Sequence, residues 1–466
     1  LPVITDPERS FDADAPLLFP HHGSNVALEA TDAPNPDLFA SADRIIRGRY
    51  VNQKVAAAPL EGNSCAAVPH TDSDRMTVYC ATQMPHVTKV QLAAALGWEP
   101  DRLRIIAPHV GGGFGAKAGL YHEHSAVAAI AADLGRAVTW TETRSENMVA
   151  LVHSRAQVQY VELGVKNDGT FTALRVRLVG DAGAYPNVGT MLAAGTKRMS
   201  NGTYTFPAIH FDLVVGTTNT TPTGAYRGAG RPEAAALLER VVDQAAIEMG
   251  IDPVEIRRKN FIQPDAFPFD TLTGVQYDSG DYEKTLNRVL ELADYDSLLS
   301  EQAARRGRGD TKQLGIGLAT FVEITAGGAA EEFGAVEIHS DGTATMRAGT
   351  SAHGQGHETT FAQLVSAKTG ISVQDIRLVQ SDTDLVPRGG GTGGSRSLQL
   401  GGSAIANATD VMIDKAKRLA AYLLEASEED IVVDTETASL GVAGVPAKAL
   451  GWAALAAAAA EHPEVL

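Results

Sequence analysis

The chain has 466 residues, too many for one hydrophobic core, so two or more domains are expected. Its formal net charge of −17 argues against a nucleic-acid partner, because phosphate binding needs a basic surface. No apolar run is long enough to span a bilayer. The two cysteines suit a reducing, cytoplasmic compartment and cannot by themselves hold a four-cysteine iron–sulfur cluster or zinc site.

The first half of the chain alternates strand and helix signals. Residues 1–40 are rich in Pro and Asp and are expected to form an irregular connector from a preceding domain. Strand-like residues follow at 42–60. The next predicted elements are a strand in "RMTVYCAT", a helix in "HVTKVQLAAALG" that Gly97 ends, a strand in "DRLRIIAP", a helix at 119–134, and alternating segments at 155–165 and 170–180.

The later elements suggest where the domains divide. "RPEAAALLERVVDQAAIEMG" predicts a long helix with Pro232 in its first turn and Gly250 after its end. Residues 297–313 are charged and are expected to be a surface linker. Strands are predicted in "LGIGLATF" and "GAVEIH", followed by a helix to about residue 425 and a helix in the alanine-rich tail. We therefore expect a first domain at 41–296 and a second at 314–466.

The second half repeats the order of the first. Each copy runs from a strand through a polar loop with a Gln to a helix with a Gln-Leu pair, then to Gly97 or Gly370. Arg104 and Arg377 each follow that glycine by seven residues, and each copy then reaches a glycine cluster. The order predicts two related subdomains that together form a cleft.

Four loops carry the unusual residues. The glycine loop (residues 109–117) reads "HVGGGFGAK" and lacks the spacing of a Rossmann or P-loop motif. The glutamine loop (residues 353–356) reads "HGQG" and opens a helix, where the Gln amide offers both donor and acceptor groups. The donor loop (residues 389–397) reads "GGGTGGSRS" and precedes a long helix, an arrangement typical of a diphosphate site. The arginine loop (residues 223–230) reads "TGAYRGAG".

Each loop also has a plain structural interpretation. The glycine loop could be a tight strand-to-helix turn, and the glutamine loop an ordinary helix N-terminus. The donor loop could be a disordered Gly/Ser segment, and the arginine loop a helix entry turn with a solvated Arg.

Taken in order, these loops resemble the large molybdopterin-binding subunit of the molybdenum hydroxylase (xanthine oxidase) family, most closely its carbon-monoxide-dehydrogenase-like branch. The resemblance covers the chain from about Ala42 to its end and includes "TQMPH", which contains Gln83. It implies an α+β fold of two elongated molybdopterin-binding subdomains, with the cofactor held between them. On this basis the glycines are needed because the edge of the cofactor lies against the backbone, where a Cβ on Gly113 or Gly115 would project.

The resemblance also assigns roles to residues. Gln83 would hydrogen-bond an oxo ligand of the metal, Phe114 would form an apolar wall beside the substrate, and Arg227 would stabilise negative charge on the substrate. No side chain is expected to bind the metal directly. The residues expected to contact a molybdopterin cytosine dinucleotide are Gly112, Gly113, Phe114, Gly115, Gly354, Gln355, Gly356, His357, Thr392, Gly394, Ser395, Arg396 and Ser397.

The resemblance implies hydroxylation of an aldehyde or N-heteroaromatic ring with oxygen from water. Electrons would pass to iron–sulfur clusters and FAD on partner subunits, in a dimer of heterotrimers. In the family a glutamate near the C-terminus acts as general base, within a Gly-x-Gly-Glu-like segment that these 466 residues lack. Because the chain also begins without Met, we expect it to be an internal piece of a longer polypeptide.

A second departure concerns copper. Carbon monoxide dehydrogenases place a cysteine after the Tyr-Arg pair of the arginine loop to hold copper, and here that position is Gly228. The alternative to an enzyme is a non-catalytic cofactor-binding paralogue or carrier, which the presence or absence of the glutamate segment in the full-length protein would separate.

Overall fold

The computed structural model describes residues 2–326 and 331–466, which form several short sheets and separate helices. In chain order the strands are β1 (Val26–Thr31), β2 (Arg44–Asn52), β3 (Val55–Ala56), β4 (Ser64–Pro69), β5 (Met76–Cys80), β6 (Leu103–Ile106), β7 (Val138–Thr141), β8 (His153–Ser154), β9 (Gln157–Val165), β10 (Phe171–Gly183), β11 (Ile209–Thr217), β12 (Phe269–Asp270), β13 (Gln276–Tyr277), β14 (Gly334–Ile338), β15 (Ala344–Ala348), β16 (Ile376–Val379), β17 (Ile431–Asp434), β18 (Ser439–Val442) and β19 (Leu450–Gly451). The helices are α1 (Pro85–Leu96), α2 (His122–Leu134), α3 (Arg144–Ala150), α4 (Leu192–Met199), α5 (Arg231–Met249), α6 (Pro253–Asn260), α7 (Tyr282–Ala293), α8 (Tyr295–Arg308), α9 (His357–Thr369), α10 (Ser403–Leu424) and α11 (Trp452–Glu461). The predicted α+β class is confirmed.

The first compact unit comprises Leu1–Ala57 and Val149–Glu323. Its main sheet has the order β1-β11-β10-β9-β2, in which β10 and β11 are parallel and the other pairs are antiparallel. Helix α5 packs against β2 and β9 through buried aliphatic side chains such as Leu237 and Val241. This helix begins directly after the arginine loop, so the sheet and its helix fix where that loop starts and ends.

The second compact unit comprises Ala58–Met148 and Ile324–Leu466 and contains both copies of the predicted repeat. In the first copy, β4 and β5 are antiparallel, and α1 connects β5 to the parallel strand β6. In the second copy, β14 and β15 are antiparallel, and α9 connects β15 to the parallel strand β16. A further helix follows each glycine-rich loop, α2 in one copy and α10 in the other, so the predicted repeat is confirmed.

The two copies of the repeat are joined just after their third strands. The Ile105 amide donates to Thr383 Oγ1 at 3.0 Å, and the Ala107 amide donates to the Ser381 carbonyl at 2.9 Å. Arg104 adds a bidentate ion pair to Asp382, with an Nε–Oδ1 distance of 3.0 Å. The glycine loop and the donor loop each follow one of these joined segments.

Three predicted segments differ from the structure. Residues 1–40 are not wholly irregular, because β1 lies at the edge of the five-stranded sheet. The predicted linker at 297–313 is mostly helix α8. The strand predicted at 314–321 does not form, because side chains satisfy its backbone: the Leu318 carbonyl accepts from Arg257, and the Thr320 amide donates to Glu239.

The compact units also differ from the contiguous domains at 41–296 and 314–466, because each unit combines two separate segments of the chain. No helix among the described residues combines the length and apolar character needed to cross a membrane.

Candidate functional site

Gln83 lies in the short turn between β5 and α1, and its side chain is 2% exposed. Pro85 begins α1, where its missing N–H leaves no helical hydrogen bond unmade. Gln83 Oε1 accepts a hydrogen bond from the Gly115 amide at 2.9 Å, and Nε2 donates to the Thr392 carbonyl at 3.0 Å. One amide side chain therefore joins the glycine loop to the donor loop, and its second N–H has no acceptor among the described residues.

The backbone conformation of the glycine loop accounts for two of its glycines. Gly112 and Gly115 have φ angles of +94° and +101°, which side chains disfavour. A Cβ built on Gly113 would lie 2.3 Å from Gln83 Oε1. Gly113 is therefore required by the buried glutamine of the chain itself, a reason that the resemblance did not supply.

Phe114 is the one bulky residue of the glycine loop with a positive φ, at +57°, and its side chain is 36% exposed. The left-handed region disfavours such a residue, and the exposed ring gains little by burial to offset that cost. Strain of this kind tends to persist where the surrounding structure holds a residue for binding. The ring is consequently available to contact a ligand beside the loop.

Lys117, at the end of the glycine loop, is fully buried. Its Nζ lies 2.6 Å from Glu61 Oε2, and the Gly111 amide donates to the same oxygen at 2.8 Å. Burial lowers the pKa of Lys117, which the Glu61 carboxylate partly offsets. The ion pair ties the loop to the segment before β4, so the loop is fixed at both its start and its end.

In the glutamine loop, Gly354 and Gly356 have positive φ angles and open space where a Cβ would stand. Gln355 is exposed, and its Oε1 accepts from the His353 amide at 2.6 Å. His357 begins α9, is buried, and stacks on Phe361 at a ring separation of 4.8 Å.

Both histidines at this helix start have an unused ring nitrogen. His357 Nδ1 pairs with Gln380 at 3.2 Å, whereas Nε2 is buried without a hydrogen-bond partner among the described residues. His353 Nε2 is likewise buried without a hydrogen-bond partner among the described residues. Burial lowers the pKa of both imidazoles, so both are neutral at pH 7 and can donate to or accept from a ligand.

The donor loop has unused backbone donors. Thr392 Oγ1 donates to the Ser351 carbonyl at 2.6 Å and lies 2.9 Å from Ser397 Oγ, so these hydroxyls hold the loop's shape. Gly394 and Ser395 are left-handed, and their N–H groups donate to no acceptor among the described residues. A π-helical turn at Ser397–Gly402 leads into α10. Free N–H groups ahead of a helix favour an anion.

Arg396 has a partner that the sequence did not predict. Its Nη2 lies 2.7 Å from Oε2 of Glu332, a carboxylate whose side chain is 2% exposed. The Gly390 amide donates to the same carboxylate at 3.2 Å. The charge of Arg396 is thus already paired within the chain, and its Nε, which has no partner, is buried. Its first role is to hold the donor loop, and its Nη1 remains available to a ligand.

Arg227, in the first compact unit, is exposed and makes no hydrogen bond to the described residues through its side chain. The next three residues, Gly228, Ala229 and Gly230, have φ angles of +104°, +45° and +98°. Within the second compact unit Gln83 lies together with Gly113, Gly115 and Thr392, whereas Arg227 belongs to the first unit, and its place beside them stays a prediction.

Three further groups of the second unit were missed at the sequence level: the Lys117–Glu61 pair, Glu332 and His353. Lys117 lies within the glycine loop, and a basic residue directly after a glycine cluster was a usable signal for a functional group. The residues around Glu332 and Glu61 do not distinguish them from surface carboxylates. The structure shows that Glu332 is buried and paired with Arg396, and that Glu61 is paired with Lys117.

The second unit fits a large polar cofactor. Orphaned imidazole nitrogens, free amides of the donor loop, and glycines with open Cβ space provide donors and room together. Among the described residues no group of three or more His, Cys, Asp or Glu side chains is placed to hold a metal ion.

Comparisons with known proteins agree with this geometry. Residues 18–261 and 288–465 each match the molybdopterin cofactor-binding domain family. The chain is 36% identical, over 92% of its length, to the carbon monoxide dehydrogenase large chain of Hydrogenophaga pseudoflava, of which it covers 57%. It is 32% identical, over 94% of its length, to the nicotine 6-hydroxylase large subunit of Paenarthrobacter nicotinovorans, of which it covers 55%.

A solved structure is also similar throughout. Quinoline 2-oxidoreductase from Pseudomonas putida 86 superposes with a TM-score of 0.92 and 31% identity, covering 100% of this chain and 61% of that one. The chain thus spans about three fifths of the length of the relatives that it matches. It is similar to the large chain of carbon monoxide dehydrogenase and belongs to the molybdopterin cofactor-binding domain family.

Proposed function

We propose that this chain binds molybdopterin cytosine dinucleotide as part of a molybdenum hydroxylase. The observation that carries the proposal is the Gln83 amide, which holds the glycine loop and the donor loop together while one N–H stays free. The donor loop, with its free amides at Gly394 and Ser395, would take the diphosphate. The glutamine loop, with Gln355 and His357, would contact the nucleotide end.

The roles of the chain's own groups follow from their positions. When bound, the molybdenum cofactor supplies a two-electron acceptor and activates an oxygen that derives from water. Gln83 would donate its spare N–H towards the metal end of the cofactor, and Phe114 would pack against the substrate. Arg227, whose guanidinium is free, would stabilise negative charge that develops on the substrate. By family resemblance, a glutamate would act as the general base.

We propose an N-heteroaromatic ring or an aldehyde as the substrate class. Two relatives are named for reactions on N-heteroaromatic compounds, nicotine and quinoline. An exposed aromatic side chain such as Phe114 suits a flat apolar ring, which prefers offset or edge contact with another ring. An aldehyde remains within the proposal because the same residues would orient a carbonyl.

Carbon monoxide is not the proposed substrate, although one relative is named for it. A Cβ at Gly228 would lie 2.4 Å from the Pro232 ring, and φ there is +104°. The loop therefore excludes a copper-binding cysteine by its shape as well as by its sequence. We expect no useful rate of CO oxidation, and stoichiometric copper together with CO-dependent dye reduction would contradict this.

Electron transfer requires partners in this proposal. Two cysteines cannot ligate an iron–sulfur cluster, so iron–sulfur and FAD subunits would carry electrons away, in a cytoplasmic dimer of heterotrimers. Relatives are named as subunits of larger assemblies, which supports this arrangement.

The test is chemical analysis of the full-length complex, followed by turnover. We expect about one molybdenum per large subunit, cytidine monophosphate on acid hydrolysis, and dye reduction with N-heteroaromatic compounds or aldehydes. Molybdenum and nucleotide without turnover on any of these compounds would favour the carrier. Tungsten alone, or no nucleotide, would contradict the cofactor assignment.

A further inference from the structure

Arg155 reaches the backbone of the arginine loop from the turn between β8 and β9. Its Nη1 donates to the Tyr226 carbonyl at 3.2 Å, and its Nη2 donates to the Arg227 carbonyl at 2.9 Å. The guanidinium also lies over the Tyr226 ring, 4.8 Å from its centroid. Arg155 thus donates to the peptide groups that precede and follow the Arg227 Cα.

Glu233 holds the other end of the same loop. Its side chain is fully buried, and its Oε2 accepts from the Gly230 amide at 2.8 Å. Arg155 Nη1 lies 3.4 Å from that carboxylate, so one guanidinium serves two loop carbonyls and a buried charge. Arg231 adds a bond from Nη1 to the Gly228 carbonyl at 2.6 Å. Carbonyls and amides of the loop are therefore fixed from Tyr226 to Gly230.

The turn that carries Arg155 has an unfavourable backbone conformation. Arg155 and Ala156 have φ angles of +67° and +57°, two consecutive left-handed residues without glycine. Such strain persists only where the surrounding structure over-determines it, and it clusters at functional sites. Alanine has no side-chain hydrogen-bonding group, so of these two strained residues only Arg155 can donate to the loop through its side chain.

We infer that Arg155 is a positioning residue that fixes the arginine loop and thereby sets the direction of the Arg227 side chain. The inference rests on the proposed function, because Arg227 is the group that would face the substrate. A guanidinium is suited to this task, since its planar fork can donate to adjacent carbonyls at once, whereas an ammonium is a point charge. Arg155 does not itself contact substrate in this scheme.

The first test measures the loop without reference to turnover. Hydrogen–deuterium exchange of the peptide spanning 224–231 is compared in the full-length complex with Arg155, Arg155→Lys or Arg155→Met. Arg175→Met is the matched control, because Arg175 also lies 4.8 Å from an aromatic ring centroid and pairs with a glutamate, Glu162, away from the loop. We expect exchange in this peptide to rise roughly tenfold in Arg155→Met, to rise less in Arg155→Lys, and to stay unchanged in the control.

The second test is a double-mutant cycle with Arg227→Ala, in which kcat and KM are measured separately. We expect Arg155→Lys to lower kcat roughly ten- to a hundredfold with KM little changed, because a displaced Arg227 loses its action in the transition state. In the Arg227→Ala background, Arg155→Lys should change kcat by no more than about twofold.

The outcomes of these tests distinguish the positioning role of Arg155 from the proposed function. Independent, multiplicative effects of Arg155 and Arg227 on kcat, or unchanged exchange at 224–231, would overturn the positioning role. If Arg155→Met fails to fold because Glu233 loses its partner, Arg155→Lys alone decides, since it keeps the positive charge. If no compound is turned over, the proposed function fails, but the exchange result still tests whether Arg155 holds the loop.

Discussion

Gln83 is the residue where two loops of the second unit meet, and its replacement gives a direct test of the site. We expect Gln83→Ala to lower turnover roughly ten- to a hundredfold, because a charge-assisted bond of about 1.5–3 kcal/mol that acts in the transition state is lost. Cofactor content should stay nearly intact, since the proposed function places the nucleotide at the glutamine and donor loops, and the bond from Thr392 Oγ1 to the Ser351 carbonyl still holds the donor loop. Molybdenum occupancy and turnover of the intact complex are the measurements.

Gln91→Ala provides the control for that experiment. Gln91 also accepts a backbone bond through its side chain, from the Leu120 amide at 2.9 Å, but it lies outside the four loops. Its variant should retain normal turnover. Full turnover at full occupancy in Gln83→Ala would refute the catalytic role, and loss of molybdenum would show that Gln83 retains the cofactor.

His124 gives the second unit a dependence on pH. Its Nδ1 accepts from the Tyr121 amide at 3.4 Å, and its Nε2 lies 3.1 Å from Asn63 Oδ1. Burial lowers the pKa of His124 to about 4. Between pH 4 and about 6.5 the His124 imidazole is therefore protonated in the unfolded chain but neutral in the folded chain. The free energy of unfolding consequently falls as the pH falls through this window.

We expect this single group to cost about 3 kcal/mol of unfolding free energy between pH 6.5 and pH 4. His124→Gln keeps an acceptor and a donor but cannot be protonated, so its unfolding free energy should fall less over the same range. Urea titrations of both proteins at several pH values measure the difference. Parallel pH profiles would show that His124 does not titrate as its burial implies.

At the scale of elements, helix ends were the most predictable feature. Gly97 and Gly250 were expected to end their helices, and they do so with φ angles of +65° and +67°. The end of α10 breaks the pattern, because Glu425 occupies the left-handed position there with φ +51° and is exposed. The helix was expected to run to about residue 425, but a left-handed residue was not expected there, since glutamate rarely adopts this conformation.

The substitution Glu425→Gly should therefore stabilise the protein by about 1 kcal/mol, because glycine removes the left-handed strain. Gly135→Ala is the reverse control: Gly135 ends α2 with φ +57° and has open space around its Cβ position, so its substitution should destabilise by a similar amount. Chemical denaturation of the variants checks both signs. A destabilising Glu425→Gly would mean that the exposed carboxylate makes an unrecognised contribution.

Other elements were beyond local sequence reasoning. Residues 314–321 alternate like a strand, yet Arg257 and Glu239 take their backbone hydrogen bonds. The loops of the candidate site were identified by composition, whereas their mutual contacts were not. The bond from Gln83 to Thr392, the burial of Lys117 and the pairing of Arg396 with Glu332 all depend on tertiary packing, which local pattern does not encode.

For the molecule as a whole, the internal repeat gives a matched comparison. Arg104 and Arg377 occupy equivalent positions, but within the part of the chain that the structure describes only Arg104 forms an ion pair, with Asp382 in the other copy of the repeat. Arg104→Met should lower the unfolding free energy by about 1–3 kcal/mol, because Asp382 loses a charge-assisted partner. Arg377→Met should stay within about 0.5 kcal/mol of the unsubstituted protein.

Equilibrium unfolding of both arginine variants would measure this difference. Equal effects would mean that the link between the copies does not depend on the ion pair. Both copies of the repeat, in segments 58–148 and 324–466, share one compact unit, and the intervening segment 149–323 belongs to the other.

The bond between Gln83 and Thr392 joins residues 309 positions apart. A ribosome adding roughly 5–20 residues per second would need some tens of seconds or less to bridge that interval, during which Gln83 has no partner in the donor loop. The main sheet of the first unit is complete by β11 and can assemble within this time. The contact between the turn that contains Gln83 and the donor loop can consequently form only after the donor loop has been synthesised.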